Sequence, residues 1–304
     1  MILSPIWLPA TLMAGALQAW RTAVQQRLRG TLSVNAAGLV RYLYGFPVAL
    51  VLLGGYLLAR GATLPALPAA FFGYAVAGGI CQIFGTNLLI MAFGYRNFIV
   101  GTAYSKTEAV QGALLSAWLL HEALTPLIWA GIGLGVAGVI ILSTGGRRLS
   151  WRELLGEMVQ PAALCGLGAG FGFAMTSVLV RNATLQLATP DLLLRALTTL
   201  AVTMVAQALL QGTYVTLREP EQWRKVAQTW RTSAQVGGLA ALGSAGWFTG
   251  FATAPVALVR IVGQVEVIFT LLFGRFYLRE PFGRSEAMGL FCVAGGVILA
   301  LLGS

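Results

Sequence analysis

Long apolar runs separated by short polar stretches recur along the whole chain. The runs are long enough to cross a bilayer as helices, which takes about 20 residues each. Short connectors between them force neighbouring helices to run antiparallel. The pattern predicts an all-α polytopic membrane protein with ten transmembrane helices, at roughly 6–27, 34–59, 67–94, 97–120, 125–143, 160–182, 189–215, 233–253, 256–278 and 284–302.

The charged residues inside these runs repeat at a fixed spacing. Apolar helices align with one another easily by chance, but charges buried within them do not. Near the start of the chain a shift of 154 residues aligns Arg41 with Arg195. Further on, a shift of 158 aligns Glu108 with Glu266, Glu122 with Glu280, and the run Gly138–Ile140 with Gly296–Ile298.

The repeat divides the chain into two related halves, 1–145 and 146–304. Each half holds five predicted helices, and five is an odd number, so consecutive copies lie upside down relative to each other. Inverted repeats are typical of alternating-access transporters, whose substrate site lies near the middle of the membrane. We therefore expect two inverted five-helix repeats around a central cavity.

Composition agrees with a membrane protein and excludes several function classes. Only 10% of the residues are charged and 57% are hydrophobic, whereas soluble domains carry about 25% charged residues. The net charge of +10 comes from singly scattered Lys and Arg, which argues against nucleic-acid binding. Three cysteines without CxxC spacing and one histidine predict no metal site, cofactor or disulfide framework.

Positive charge in the connectors predicts the orientation. Odd-numbered connectors carry about twelve Lys or Arg, and positive residues mark cytoplasmic loops. The even-numbered connectors carry Arg60 and Arg181. The first apolar run contains Arg21 and lacks a small-residue cleavage pattern, so it is read as a helix and not as a signal peptide. We expect a multi-pass protein of the bacterial inner membrane with both termini outside.

Ionisable residues at membrane depth are functional candidates, because they are costly there unless paired or wetted. Lys106 and Glu108 lie about 200° apart around a helix and so face different neighbours. We expect Lys106 and Arg260 to bind an anionic substrate group through charge-assisted hydrogen bonds. Glu108 and Glu266 serve either this site or as ion-pair partners that hold the helices together.

Polar residues elsewhere in the apolar runs extend the candidate site. Gln18, Arg21 and Gln25 form a polar stripe on the first helix, which must face protein or water. Trp247 offers an apolar wall. The predicted substrate-binding residues are Lys106, Arg260, Gln264, Glu108, Glu266, Arg21, Gln18, Gln82, Asn87, Tyr104 and Trp247.

Cations outnumber anions at membrane depth. This surplus favours a zwitterionic or anionic small-molecule substrate and argues against the exporters of hydrophobic cations, which need an unpaired carboxylate. The positive residues counted are Arg21, Arg41, Lys106, Arg195, Arg260 and Arg275, against Glu108 and Glu266.

The stretch AFGYRNFIVGTAYSKTEAVQGALLSAWLLHEALTPLIWAGIGLGVAGVIIL, 92–142, resembles the recurring unit of EamA-type transporters in the drug/metabolite transporter (DMT) superfamily. The acidic residue after its fourth helix is Glu122, and Glu280 in the second copy. The resemblance implies ten helices in two inverted bundles, with helices 3–4 and 8–9 lining a cavity. It also implies a proline bend where this chain has Glu108 and Glu266, and termini in the cytoplasm, opposite to the charge pattern.

Together these features predict a secondary transporter, with export the favoured direction, of small organic metabolites such as amino acids. The alternatives are a transporter of a phosphorylated metabolite and a flippase of an anionic lipid or lipid-linked sugar. No Walker A sequence is present, and no residue cluster suits an intramembrane enzyme. Since the fused halves already form a two-sided unit, a monomer in the lipid bilayer suffices.

Overall fold

The protein was analysed as a computed structural model, which describes residues 4–92, 104–143, 160–269 and 284–303. Within these ranges every regular element is a helix. The helices are α1 (Trp7–Leu28), α2 (Val34–Leu43), α3 (Gly45–Arg60), α4 (Ala69–Ala92), α5 (Glu108–Leu119), α6 (Pro126–Ser143), α7 (Pro161–Leu185), α8 (Leu192–Arg218), α9 (Gln222–Gln228), α10 (Trp230–Thr253), α11 (Val256–Gly263) and α12 (Arg284–Leu302).

Four of the described stretches are long and apolar enough to cross a bilayer: Val34–Arg60, Ala69–Ala92, Pro161–Leu185 and Leu192–Arg218. Their outward side chains include large apolar groups, such as Leu58 in the first stretch, which is 86% exposed. A soluble protein would bury much of this surface, whereas a lipid-facing helix presents it to the acyl chains. The helices therefore indicate an integral membrane protein, as the sequence predicts.

The predicted helix at 34–59 is interrupted at Tyr44, which ends α2 and begins α3. Pro47 lies in the first turn of α3 and has no backbone N–H to donate to the carbonyl of Leu43. The lost hydrogen bond explains why one long apolar run forms two helices. The connector between the predicted helices 189–215 and 233–253 contains the short helix α9.

The described helices fall into two compact units, and each unit joins a segment from both halves of the sequence. The first unit is Met1–Ile83 with Thr176–Ala254, and the second is Phe84–Met175 with Pro255–Ser304. The predicted boundary between the sequence repeats, at 145, lies outside the described residues, so the repeat assignment stays a prediction.

In the first unit, α1 packs closely on α10 and α8 packs on several neighbours. A Cβ at Gly246 would lie 2.5 Å from the carbonyl oxygen of Ala10, so only glycine permits this approach of the two helices. The Gln207 amide of α8 donates to the carbonyl of Gly79, at 3.0 Å, and to the side chain of Gln82, at 2.8 Å. These buried polar contacts join α8 to α4.

The start of α8 is held by an acidic cap. Asp191 accepts backbone hydrogen bonds from Leu193, at 3.1 Å, and Leu194, at 3.0 Å. Its second carboxylate oxygen accepts a bond of 2.8 Å from the Tyr56 hydroxyl of α3. A side-chain cap satisfies N–H groups that the first helical turn leaves without partners, and here the same carboxylate also ties α8 to α3.

In the second unit, α6 and α12 pack through glycines. A Cβ at Gly131 would lie 2.6 Å from the oxygen of Gly296, and a Cβ at Gly138 would lie 2.7 Å from the oxygen of Gly289. The sequence shift of 158 relates Gly131 to Gly289 and Gly138 to Gly296. Applying this shift to the contact of Gly131 with Gly296 therefore gives the contact of Gly289 with Gly138. The two helices therefore contact each other as a pseudo-symmetric pair.

Candidate functional site

Four charged residues of the second unit, Lys106, Glu108, Arg260 and Glu266, lie in or near two interruptions of the helical backbone. At the first, residues 104–105 are helical, Lys106–Thr107 form a turn, and α5 begins at Glu108. The carbonyl of Tyr104 accepts both from the backbone N–H of Thr107, at 3.2 Å, and from its hydroxyl, at 2.6 Å. A side-chain hydroxyl that competes for a helical carbonyl disfavours continued helix at this point.

The second interruption follows α11. Gln264–Val265 form a turn, and residues 266–269 are helical again. The backbone N–H of Val265 donates to the carbonyl of Val262 at 3.1 Å, and that of Val267 donates to Gln264 at 3.0 Å. These bonds span three residues, and the corresponding bonds of the first turn span three as well, from Thr107 and Ala109.

Both interruptions fall inside runs that the sequence predicts as single helices, 97–120 and 256–278. The structure therefore corrects these two predictions within the described residues, since each run is broken at its charged segment. The resemblance implied a bend here that the missing prolines made unexpected. The helix is interrupted here without them, at turns whose backbone N–H groups bond to carbonyls three residues earlier.

Lys106 and Glu266 join the two interruptions directly. The Lys106 ammonium nitrogen lies 2.8 Å from Glu266 Oε2, and the two side chains are 14% and 9% exposed. At this distance the contact is both an ion pair and a hydrogen bond. From the sequence we expect Lys106 to bind substrate, and an ion-pair role is one of the two alternatives for Glu266. In the structure these two residues contact each other.

Arg260 forms the second ion pair of the cluster. Its Nη1 lies 3.4 Å from Glu108 Oε1, and its Nη2 donates to the backbone carbonyl of Phe173 at 2.6 Å. One guanidinium thus bridges α11, α5 and α7, using the fork of donors that lysine lacks. As the helical spacing predicts, Lys106 and Glu108 reach different partners.

Gln264 lies in the second turn, between Arg260 and Glu266 in the sequence. Its side chain is buried, 4% exposed, and among the described residues neither its amide nitrogen nor its oxygen has a hydrogen-bond partner. A Cβ at Gly135 of α6 would lie 2.5 Å from the Gln264 oxygen, so the amide is packed against bare backbone. Burying an amide without a partner costs free energy.

The charges of this cluster balance. Among the described residues of the cluster, two cations lie at hydrogen-bonding or ion-pairing distance from two carboxylates. The excess of cations over anions that was counted from the sequence is therefore not found in these ion pairs. The remaining counted cations are Arg21, Arg41 and Arg195 in the first unit, and Arg275, which lies outside the described residues.

Two further predicted residues lie in the same unit. Asn87 is half-buried on α4, and Tyr104 is half-buried directly before the first turn. Both take part in interactions within the structure. The second unit thus contains the following predicted site residues: Lys106, Glu108, Arg260, Gln264, Glu266, Asn87 and Tyr104.

The other four predicted site residues belong to the first unit. The Trp247 indole nitrogen donates to Gln18 Oε1 at 3.0 Å, and its ring stacks on Phe251 with centroids 6.1 Å apart. Gln82 is tied to α8 through the glutamine contact described above. Arg21 is buried, 4% exposed. In this unit Gln18, Trp247 and Gln82 take part in contacts between helices.

The structure adds residues that the sequence reading passed over. Gln111 donates to the Thr107 hydroxyl at 2.8 Å and so supports the first turn. Glu122 accepts from the backbone N–H of Val256 at 3.0 Å, at the first residue of α11. The acidic residue of the repeated motif therefore caps the helix that carries Arg260. Its spacing within the repeat was the available signal, but its partner was not.

No group of His, Cys, Asp or Glu with metal-binding geometry occurs in the part of the chain that the structure describes. The three cysteines are free, and none is involved in a disulfide.

Comparisons with known proteins agree with this architecture. Residues 160–302 match the model of the EamA-like transporter family. A solved structure titled "Crystal structure of protein" is similar to this chain with a TM-score of 0.73 and 20% identity, covering 97% of each chain. At that identity the likeness shows the fold alone. No curated protein matches the chain.

Proposed function

We propose that this chain, whose residues 160–302 match the EamA-like transporter family of the DMT superfamily, exports small zwitterionic metabolites, amino acids among them, across the bacterial inner membrane. Members of this family are membrane transporters of small molecules. The proposal adds the substrate class, the direction, the membrane and alternating access between two inverted repeats as the mechanism.

The observation that carries the proposal is the pair of buried ion pairs at the two helix interruptions. Transporter sites in inverted-repeat folds are typically built from discontinuous helices near the middle of the membrane. Lys106 and Glu266 lie in or directly after these interruptions, and Arg260 and Glu108 flank them. Charges in such a position are functional candidates because they are otherwise costly.

Charge balance favours a zwitterion over an anion. A substrate carboxylate that replaces Glu266 at Lys106 leaves one buried carboxylate without a cation. A substrate ammonium on the same molecule supplies that cation, so a zwitterion exchanges with the ion pair and adds no net charge. A phosphorylated metabolite adds two negative charges and no compensating cation, which disfavours it.

The glycine contacts of α6 and α12 support the inverted duplication. Two helices that contact each other at Gly131–Gly296 and at Gly138–Gly289 run antiparallel, with equivalent positions related by the sequence shift. An antiparallel pair with a two-fold axis between its members is what an inverted repeat produces.

Counterflow in proteoliposomes tests the proposal. The purified protein is offered three molecules with the same aliphatic side chain: leucine, its decarboxylated amine and its deaminated acid. Counterflow needs only exchange and so does not depend on the coupling ion. We expect radiolabelled leucine to accumulate, with neither the amine nor the acid exchanging at a comparable rate.

Other outcomes have defined meanings. Faster exchange of the acid than of leucine contradicts the zwitterion and favours the anionic substrates. Silence across the panel, from protein whose thermal unfolding shows that it is folded, contradicts the amino-acid carrier. Lipid scrambling by the same preparation would then identify the flippase.

A further inference from the structure

The two interruptions have equivalent backbones but unlike side chains. Lys106 and Gln264 are 158 residues apart, and each is the first residue of its turn. Glu108 and Glu266 follow two residues later, again 158 apart. The backbone hydrogen bonds from Thr107 and Val265 are made to residues at equivalent positions. The turns are therefore counterparts in the proposed duplication.

One contact of this pair has no counterpart in the structure. Lys106 binds Glu266, so equivalence predicts a contact between Gln264 and Glu108. Instead Glu108 lies on Arg260, and the Gln264 amide has no hydrogen-bond partner in the described residues. The unsatisfied amide lies where the duplication predicts a partner for Glu108.

We propose that Gln264 is the alternative partner of Glu108 in the opposite access state of the transporter. In that state Glu108 leaves Arg260 and accepts a hydrogen bond from the Gln264 amide. This contact is the counterpart of the present one between Lys106 and Glu266. The inference rests on the proposed function, because it requires two access states.

The exchange follows from the inverted duplication. When two equivalent halves interchange their conformations, a contact between two residues becomes a contact between their counterparts. The contact of Lys106 with Glu266 then becomes that of Gln264 with Glu108. The counterpart of Arg260 is Thr102 in the sequence, which lies outside the described residues. The opposite state therefore keeps neither present ion pair.

Loss of both ion pairs assigns a role to the substrate. Lys106 and Arg260 are freed from their carboxylates in the opposite state, and an uncompensated buried cation is strongly unfavourable. A substrate carboxylate on these cations compensates for the loss. The present state is thus charge-satisfied without substrate, whereas the opposite state is stable only with substrate bound.

The test separates a change of state from a structural role. Gln264→Leu removes an amide that has no partner here, so the thermal stability of the protein stays equal or rises. Its exchange rate falls by about tenfold or more, since a hydrogen bond to a charged group is lost only in the opposite state. Gln264→Lys, which supplies the donor found at position 106, exchanges faster than Gln264→Leu.

The matched control is Gln111→Leu, which removes a half-buried amide that does have a partner, the Thr107 hydroxyl. We expect this variant to unfold at a lower temperature. If Gln264→Leu exchanges substrate at the wild-type rate, or loses stability as the control does, the inference about Gln264 is overturned. The proposed transport function is not affected by that result. If the wild-type protein shows no counterflow, the proposed function itself is overturned.

Discussion

The two units hold their buried polar groups in different ways. In the first unit the Gln207 amide nitrogen of α8 donates to the Gln82 side chain of α4 at 2.8 Å and to the Gly79 carbonyl at 3.0 Å, while the Gln207 oxygen has no hydrogen-bond partner among the described residues. In the second unit charged side chains form ion pairs across interrupted helices, and one glutamine amide has no partner. An amide nitrogen that makes two hydrogen bonds to a neighbouring helix fixes the helices in one arrangement, whereas an ion pair beside an amide that makes no hydrogen bond allows a second.

This contrast separates residues that join helices from residues that we propose to act on a substrate. Sequence alone placed polar residues of both units in one candidate site, because depth in the membrane was their common feature. The contacts distinguish them. Gln82 and Trp247 bind neighbouring helices of the first unit, while Lys106 and Arg260 have partners that a substrate group can replace.

The largest effect is expected at Lys106. Lys106→Gln removes the cation while keeping an N–H donor toward Glu266, so transport is abolished and the protein remains folded. Counterflow and thermal unfolding measure the two results. Lys225→Gln, the same change at the chain's other lysine on α9, is the control and transports normally. Normal transport by folded Lys106→Gln contradicts the role proposed for Lys106.

Arg260→Lys keeps the charge but loses the fork that reaches both Glu108 and the Phe173 carbonyl. We expect transport to fall strongly and stability to drop by about 1–3 kcal/mol, the cost of an unsatisfied buried partner. Kinetics and denaturant unfolding test this. Unchanged values for both would show that the guanidinium geometry has no role.

In the first unit, Gln207→Met removes the two hydrogen bonds to α4 with little change of volume. The free energy of unfolding should fall by about 1–3 kcal/mol, with the KM for substrate unchanged. A large rise in KM for Gln207→Met, without loss of stability, would contradict the proposal that Gln207 supports the fold and does not act on substrate.

The smallest effect is expected at the cap of α8. Tyr56→Phe removes one hydrogen bond to Asp191 and lowers stability by about 0.5–1.5 kcal/mol. Burial raises the pKa of Asp191, but the Leu194 N–H and the Tyr56 hydroxyl outweigh it, so its pKa lies below the ordinary value. A carboxyl with a lowered pKa stabilises the folded protein at neutral pH, and this contribution is lost on acidification.

The difference between wild type and Tyr56→Phe should therefore narrow as the pH falls below about 4. Tyr214→Phe, at an exposed position of α8, is the control and leaves stability unchanged at either pH. A constant difference across this range would show that the Asp191 carboxylate does not contribute.

Much of the helical architecture was predictable because long apolar runs have one structural solution in a membrane. The interruptions at Tyr44, Lys106 and Gln264 were not, since hydropathy is the same for a straight and a broken helix. Pro47 gave a signal for the first. For the second, the competing bond from the Thr107 hydroxyl becomes visible only in the structure.

The members of the ion-pair cluster could be selected from the sequence, but their contacts could not. Helical spacing indicated that Lys106 and Glu108 face different neighbours, and the ion pairs agree. Which cation meets which carboxylate depends on how helices far apart in sequence pack. The spare amide of Gln264 also depends on that packing, because its oxygen lies against Gly135.

If the proposed function holds, the balanced charges among the described residues at the interrupted helices also determine how transport responds to voltage. A zwitterion that exchanges with an ion pair crosses the bilayer without moving net charge, so its equilibrium distribution is independent of the membrane potential. A monovalent cation would instead gain or lose about 2.3 kcal/mol per 100 mV. Substrate exchange by the proposed carrier would thus respond to the substrate concentrations on the two sides of the membrane and not to the membrane potential.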